Sequence, residues 1–441
     1  MPKHFKSPGD KISKTFCALP WAHMHVWPEG KTYTCCLADN DHVLGNVEDM
    51  TLEEMWNVPL QKSIRKDMLE GKEPATCRKC YSQERNNIKS MRTAANIMLE
   101  KHIDRFIETT QPDGHSDEFK LLYWDFRFSN ICNFKCRMCG GSLSSKWFED
   151  EKNIFGTTSL PKALIHVNDI SKKNIYEYLD EFIEEVEEVY FAGGEPLLMD
   201  EHYMILERLI KVGNTKCRIR YNTNFSFIKY KKWDLFELWR NFTEHDPHNV
   251  QIFASIDTFG KYAEYSRKGT NWAKIESNIK KTLEAGFEFS LSATTTIFTI
   301  LHLTEHVDYM MNKVGVKPYH LHLNNVLTFP SYYHINILPD EIKEKISNKM
   351  DKHLEGMSEK VRKHFDYKYD SIKKYLFSKP DKDIEQIRSK FKLLTDKLDK
   401  GRDESFVEIY PELADWYNSL SPHGDINTVW DNTSDDTTNN S

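Results

Sequence analysis

The sequence predicts an α/β protein built from parallel βα units, and three observations carry that expectation. Between about residues 119 and 327, six runs rich in β-branched and aromatic residues alternate with helical stretches. The helical stretches show one-sided apolar spacing, with Gly213, Gly286 and Gly315 placed where they should stop. The chain has 441 residues, enough for two or three domains around a sizeable core.

Taken in order, residues 1–85 are cysteine-rich and short of long periodic elements. A helix is expected over 51–70, with Pro59 marking a break or restart. Residues 86–118 form a helical connector that runs out in the turn-rich "TTQPDGHSD". The strands of the core, 119–330, are "FKLLYWDFRF", "EEVYFAGG", "CRIRYNT", "VQIFASID", "EFSLSATTTI" and "YHLHLNNVL". Over 174–188, Ile175, Tyr178, Leu179, Phe182, Ile183 and Val186 follow helical spacing and predict one buried face. Such units form either an open sheet or a barrel, and in both the reactive groups gather at the carboxyl ends of the strands. Residues 331–425 read as a lysine-rich, acidic helical extension, and 426–441 as a disordered polar tail.

Composition narrows the function classes. The chain is 39% hydrophobic and 29% charged, with no apolar run long enough for a membrane span and no apolar segment near its start that would make a signal peptide. A net charge of −7 gives no global attraction to nucleic acid or anionic membrane. A cytoplasmic location is therefore expected. The nine cysteines are too sparse for a disulfide scaffold, and their C-x-x-C pairs point to metal or redox chemistry.

The run "ICNFKCRMCGG", 131–141, sets Cys132, Cys136 and Cys139 at C-x-x-x-C-x-x-C spacing directly after the first core strand. Three thiols leave three readings open: buried apolar cysteines, zinc with a fourth ligand from elsewhere, or an iron–sulfur cluster with one iron not held by protein. The interleaved Lys135 and Arg137 suggest an exposed loop, which disfavours the first.

This loop resembles the signature of the radical S-adenosylmethionine (radical SAM) superfamily, with Met138 standing where an aromatic is usual. The resemblance implies a 4Fe–4S cluster held by Cys132, Cys136 and Cys139, whose open iron chelates S-adenosylmethionine. Further positions are similar to the family's motifs. Gly193, Gly194 and Glu195 in "VYFAGGEPLL" match its Gly-Gly-Glu turn, and Thr223 and Asn224 in "YNTNFS" match its Thr-Asn pair. Ser255, Asp257 and Arg267 in "FASIDTFGKYAEYSRKGTNW" match an S-x-D…R-x-G pattern. There Ser255 and Arg267 are expected to face the S-adenosylmethionine carboxylate. Asp257 shapes the site or, as an ordinary turn residue, caps the next helix. The family fold is a partial (β/α)6 TIM-like barrel.

The remaining cysteines give C-x12-G-x4-C from Cys17 through Gly30 to Cys35, then Cys77 and Cys80 in "ATCRKC". With "LGNVEDMTLEEMW" between the pairs, this resembles the SPASM/twitch auxiliary module, in the shorter version with one second 4Fe–4S cluster. A four-cysteine zinc ribbon is the alternative. Cys36 competes with Cys35 as a ligand, and Cys217 reads as a buried small hydrophobe. The module precedes the core here, whereas in most of the family it follows.

The resemblance implies an enzyme that makes a 5′-deoxyadenosyl radical and abstracts a hydrogen atom from an organic substrate, with a peptide or protein first. The alternatives are a sugar or nucleoside dehydrogenase or epimerase and, in another class, a non-catalytic zinc or iron–sulfur protein. It also implies an electron donor such as flavodoxin or ferredoxin.

Overall fold

The computed structural model describes residues 6–85, 89–380 and 383–422; the predicted tail, 426–441, lies outside them. The chain forms two compact units, one of Met1–Ser129, Ile165–Arg220 and Leu238–Asn249, the other of Asn130–Leu164, Tyr221–Glu237 and Val250–Ser441.

In the first unit the strands run Gly45–Asn46, Lys31–Tyr33, His23–Val26, Tyr123–Phe126 and Glu188–Phe191 in hydrogen-bonded order. His23–Val26 pairs parallel to Tyr123–Phe126, with His25 opposite Asp125, and Tyr123–Phe126 pairs parallel to Glu188–Phe191. Arg218, opening the strand Arg218–Thr223, donates its N–H to the Glu187 carbonyl at 2.8 Å. A strand of the cysteine-rich segment thus extends the core sheet, which the sequence pattern did not predict. His23–Val26 is buried on both faces and so lacks the alternation that marks a half-exposed strand.

The helix expected over 51–70 is present as Leu52–Trp56 and Pro59–Leu69. Thr51 and Glu54 form a capping box on the first, and Pro59 opens the second. The connector contains Met91–Met98 and Ile103–Glu108. Phe16, Trp21, Ile64, Met68, Leu99, Ile103 and Phe106 form one apolar core around them.

The expected helix over 174–188 is shorter: Ile175–Leu179 is helical, and 180–185 continues as turns. Its C-terminal half carries Glu181, Glu184, Glu185 and Glu187, which oppose the negative end of a helix dipole. Asn214 donates instead to the carbonyls of Ile183 and Val186, both at 2.9 Å. The apolar face is still buried, apart from the partly exposed Phe182.

In the second unit Val250–Ala254, Phe289–Thr295 and Leu321–Val326 are parallel neighbours, with Ile252 opposite Phe289 and Leu291 opposite Leu321. Ser255 N–H donates to the Thr223 carbonyl at 2.7 Å, placing the end of Arg218–Thr223 beside Val250–Ala254. Val250–Ala254 and Phe289–Thr295 alternate strictly between buried and half-buried residues, so one face is core and the other accessible. Gly213, Gly286 and Gly315 all take the left-handed conformation at helix ends, as their positions predicted. The helical extension includes Asp340–Gly356, Asp366–Leu376, Ile384–Arg402 and Phe406–Ile409.

All six predicted core strands are present, and the fold is α/β of the partial-barrel kind. Among the described residues no pairing closes the strands into a ring. Nor is any helix there long and apolar enough to cross a membrane.

Candidate functional site

The three-cysteine loop lies in the second unit. Lys135–Cys136 forms a short antiparallel pair with Arg267–Lys268, putting Cys136 opposite Arg267, and Arg137 N–H donates to the Ser266 carbonyl at 2.9 Å. Gly269 makes this approach possible. Its φ is +106°, and an added Cβ would stand 2.7 Å from the Asn133 carbonyl oxygen. The R-x-G motif and the cysteine motif are therefore two strands of one ribbon.

Arg267 is held at its Nε–Nη2 edge by both oxygens of Asp257, at 2.6 and 3.0 Å. Its remaining Nη1 points to Cys136 Sγ at 3.6 Å. The carboxylate-facing fork expected from the sequence is thus occupied from within the chain. Asp257 also accepts from Thr294 N–H at 2.8 Å, and Phe259 is the N-cap of the following helix, so Asp257 is not its helix-capping residue. The hydrogen bond with Cys139 and the nearby Arg267 charge bring the Cys136 thiol down to about 7, while the same bond and burial push Cys139 up. A lowered thiol beside a guanidinium is a thiolate-forming arrangement.

At the end of Arg218–Thr223, Asn224 donates to Asn133 Oδ1 at 2.9 Å and accepts from Ser226, and Asn133 donates to Ser226 Oγ at 3.0 Å. This amide brace ties the Thr-Asn motif to the residue after Cys132. Thr223 is buried and accepts from Phe225 N–H, which has φ +57°. Asn224, Ser255, Asp257, Thr258, Ser266 and Arg267 line a small cleft. In it the buried hydroxyls of Thr258 and Ser266 have no hydrogen-bond partner among the described residues. Arg267, one of the residues lining it, directs its Nη1 toward Cys136, so these unused polar atoms lie beside the central cysteine of the loop. The expectation that Lys135 and Arg137 mark an exposed loop is corrected: Lys135 is partly buried, and Arg137 fully so. Asp399 and Glu404, distant in sequence, neutralise Arg137.

The Gly-Gly-Glu turn lies in the first unit. Gly193 has φ +83°, and a Cβ there would stand 2.9 Å from Arg127 Cδ. Glu195 is buried and accepts from Leu197 N–H at 3.0 Å. Arg127 in turn grips Asp125 at 2.7 Å, and His25 Nδ1 sits 3.1 Å from the same carboxylate. Burial works against the Asp125 charge, but Arg127 and His25 outweigh it and hold the group below the usual carboxylate range. Sequence reading missed this network, because its members are brought together only by the parallel register of His23–Val26 and Tyr123–Phe126.

Cys17, Cys35, Cys77 and Cys80 also lie in the first unit. Burial, and for each of the first three its neighbouring thiols, pushes Cys17 and Cys35 up to about 12 and raises Cys77 and Cys80 as well. Backbone N–H groups oppose this rise, from Leu19 on Cys17, Leu37 and Ala38 on Cys35, and Arg92 and Met91 on Cys80. Amides directed at sulfur stabilise thiolates bound to metal, so the donor set fits an iron–sulfur cluster. Cys36 differs. After burial its strongest neighbour is Asp125, whereas Cys35 is coupled chiefly to Cys80 and Cys17. Among the described residues no three or more His, Cys, Asp or Glu close around a single metal ion. Cys217 is a buried hydrophobe, as expected.

Residues 126–314 match the family model of the radical SAM superfamily, and residues 17–81 match that of the SPASM iron–sulfur cluster-binding domain. No curated protein matches the sequence. Among solved structures the chain is similar to native anSMEcpe with bound AdoMet, at 16% identity over 52% of this chain and 59% of that one, with a TM-score of 0.33. It is also similar to Streptococcus suis SuiB bound to S-adenosylmethionine, at 16% identity over 58% and 51%, TM-score 0.27. For SuiB bound to precursor peptide SuiA the values are 14% identity over 66% and 60%, TM-score 0.30. The chain spans about half to three-fifths of the length of these structures. The assignment rests on the two domain matches, which bring a 4Fe–4S cluster, S-adenosylmethionine and auxiliary iron–sulfur binding with them. Residues 126–314 thus form a radical SAM superfamily domain, and residues 17–81, ahead of it in the chain, a SPASM-type module.

Proposed function

We propose that this chain is an enzyme that cleaves S-adenosylmethionine reductively and abstracts a hydrogen atom from an organic substrate, a peptide or protein residue in the first instance. The observation that carries this reading is the ribbon of Lys135–Cys136 with Arg267–Lys268, which sets a guanidinium on the central thiol of the loop. Cys132, Cys136 and Cys139 would hold a 4Fe–4S cluster, which would supply the electron for reductive cleavage of S-adenosylmethionine to methionine and a 5′-deoxyadenosyl radical, the species that would take the substrate hydrogen. Arg267 favours the thiolate of Cys136, and Asp257 fixes Arg267. Asn224 keeps the loop in register through Asn133.

Thr223, Ser255 and the Gly193–Gly194–Glu195 turn are assigned to S-adenosylmethionine binding. Cys17, Cys35, Cys77 and Cys80 are assigned to an auxiliary cluster in module 1–85, followed by the connector 86–118, the core 119–330 and the extension 331–425. A flavodoxin or ferredoxin is the electron donor. All nine cysteines are free, which suits the reducing cytoplasm.

The test is anaerobic reconstitution with iron and sulfide, then dithionite and S-adenosylmethionine, with 5′-deoxyadenosine and methionine quantified. Equimolar formation of both supports the proposal, and no cleavage by iron-replete protein refutes it.

A further inference from the structure

Inside the second unit the helical extension meets the three-cysteine loop directly at Arg137 and Cys139, and through Asp150 and Trp147 at Lys135 and Cys136. Lys135 Nζ donates to Asp150 at 2.7 Å, and Arg402 holds the other oxygen of Asp150 at 2.9 Å. The Cys136 carbonyl accepts from Trp147 Nε1 at 2.8 Å, and Trp147 packs with Leu394 and Leu398 of the helix Ile384–Arg402. Arg137 donates to Asp399 and, at 2.6 Å, to Glu404, while its guanidinium lies 3.7 Å from the Tyr265 ring centroid. Cys139 packs against the apolar cluster of Trp147, Phe155, Leu394 and Leu398.

These contacts differ in kind, since one is a buried ion pair, one a partly buried ion pair, one a backbone hydrogen bond through a tryptophan, and one is apolar. They converge on the same helix. Asp399 is itself fixed by Tyr265 Oη at 2.9 Å and by Phe406 N–H at 2.6 Å. Lys268, on the strand opposite the loop, reaches Glu404 at 3.0 Å. Both strands of the ribbon are therefore anchored to the extension.

We propose that the segment Ile384–Ile409 is a wall of the three-cysteine site, with Arg137 as the positioning residue that ties the loop to it. The two buried cations, Arg137 and Arg402, are neutralised by Asp150, Asp399 and Glu404, and burial of the pair depends on those carboxylates. This inference rests on the proposed function only in taking the loop to be a cluster-binding segment. Its mechanical content, that the extension holds the loop, stands apart from that reading.

The experiment uses the full chain in the metal-free and reconstituted forms, with Arg137→Met, Arg137→Lys and Glu404→Gln. Amide exchange is followed over 132–139, with Phe289–Thr295 as the internal reference, and iron loss to a chelator is timed. Arg137→Met should speed exchange in 132–139 about tenfold while the reference strand keeps its protection. It should also speed iron loss, and Arg137→Lys should restore part of both. Glu404→Gln, which removes one of two carboxylates and is the milder change, should give a smaller rise of the same pattern. If Arg137→Met does not fold, Glu404→Gln decides. Parent-like exchange in 132–139 with loosening confined to Ile384–Ile409 would overturn the proposal. If the parent takes up no iron, the proposed function fails, and the exchange arm still decides this inference.

Discussion

Replacing Arg267 by Met removes the guanidinium that Asp257 grips with both oxygens, and it leaves a wholly buried carboxylate whose other hydrogen-bond donor among the described residues is Thr294 N–H. The Arg267 side chain is 13% exposed, so little solvent screening softens the loss. Breaking one partner of a buried pair costs about 3–5 kcal/mol. At roughly 2–4 °C per kcal/mol for units of 150–250 residues, the thermal transition should fall by about 6 °C or more. Adding Asp257→Asn should recover much of this, since the orphaned charge is gone and the amide oxygen still accepts from Thr294. Calorimetry of the metal-free single and double variants reads both values. The same substitution should raise the Cys136 thiol from about 7, followed by the pH dependence of alkylation in the peptide containing it. A single variant within about 1 °C of the parent, or an additive double variant, would refute the reasoning, because Arg267 and Asp257 would then not act as a pair.

Two further outcomes are expected. Cys35→Ala should lower iron uptake by the amount of one cluster and Cys36→Ala should not, since Cys35 couples to Cys17 and Cys80 while Cys36 lies chiefly beside Asp125; iron and sulfide assays on reconstituted protein check this. The metal-free protein should lose stability as pH rises above about 8.5, the thiol value in an unfolded chain. Cys17 and Cys35 keep their protons in the folded state up to about 12, so folding binds more protons than unfolding across that window and stability falls through it. Denaturation midpoints at pH 7.5 and 10 should differ for metal-free protein and much less for reconstituted protein, whose thiolates are already deprotonated.

Much of the fold was legible because the second unit's strands bury one face, and their alternation shows in the residues themselves, as in Phe289–Thr295. The three-cysteine loop was legible because its spacing is local. What escaped depends on long-range pairing. Arg137 looks like a solvent-facing cation in "CRMC", and its carboxylates come more than 250 residues later. His25 and Asp125 meet only through a parallel register between strands 100 residues apart. The choice between Cys35 and Cys36 turns on which side chain faces Cys17, Cys77 and Cys80, and sequence spacing cannot tell neighbouring residues apart in that respect. The helix over 174–188 was overcalled because apolar spacing records burial, which a chain of turns satisfies equally well.

The central claim is that Cys132, Cys136 and Cys139 hold a cluster with one position left for S-adenosylmethionine, separate from a second cluster on Cys17, Cys35, Cys77 and Cys80. Electron paramagnetic resonance of the dithionite-reduced, reconstituted protein, with and without S-adenosylmethionine, tests it most directly when parent and Cys132→Ala/Cys136→Ala/Cys139→Ala protein are compared. The parent should show a signal that changes on adding S-adenosylmethionine. The triple variant should lose that component, keep about half the iron and retain an unresponsive signal. A S-adenosylmethionine-responsive signal that survives in the triple variant would contradict the account.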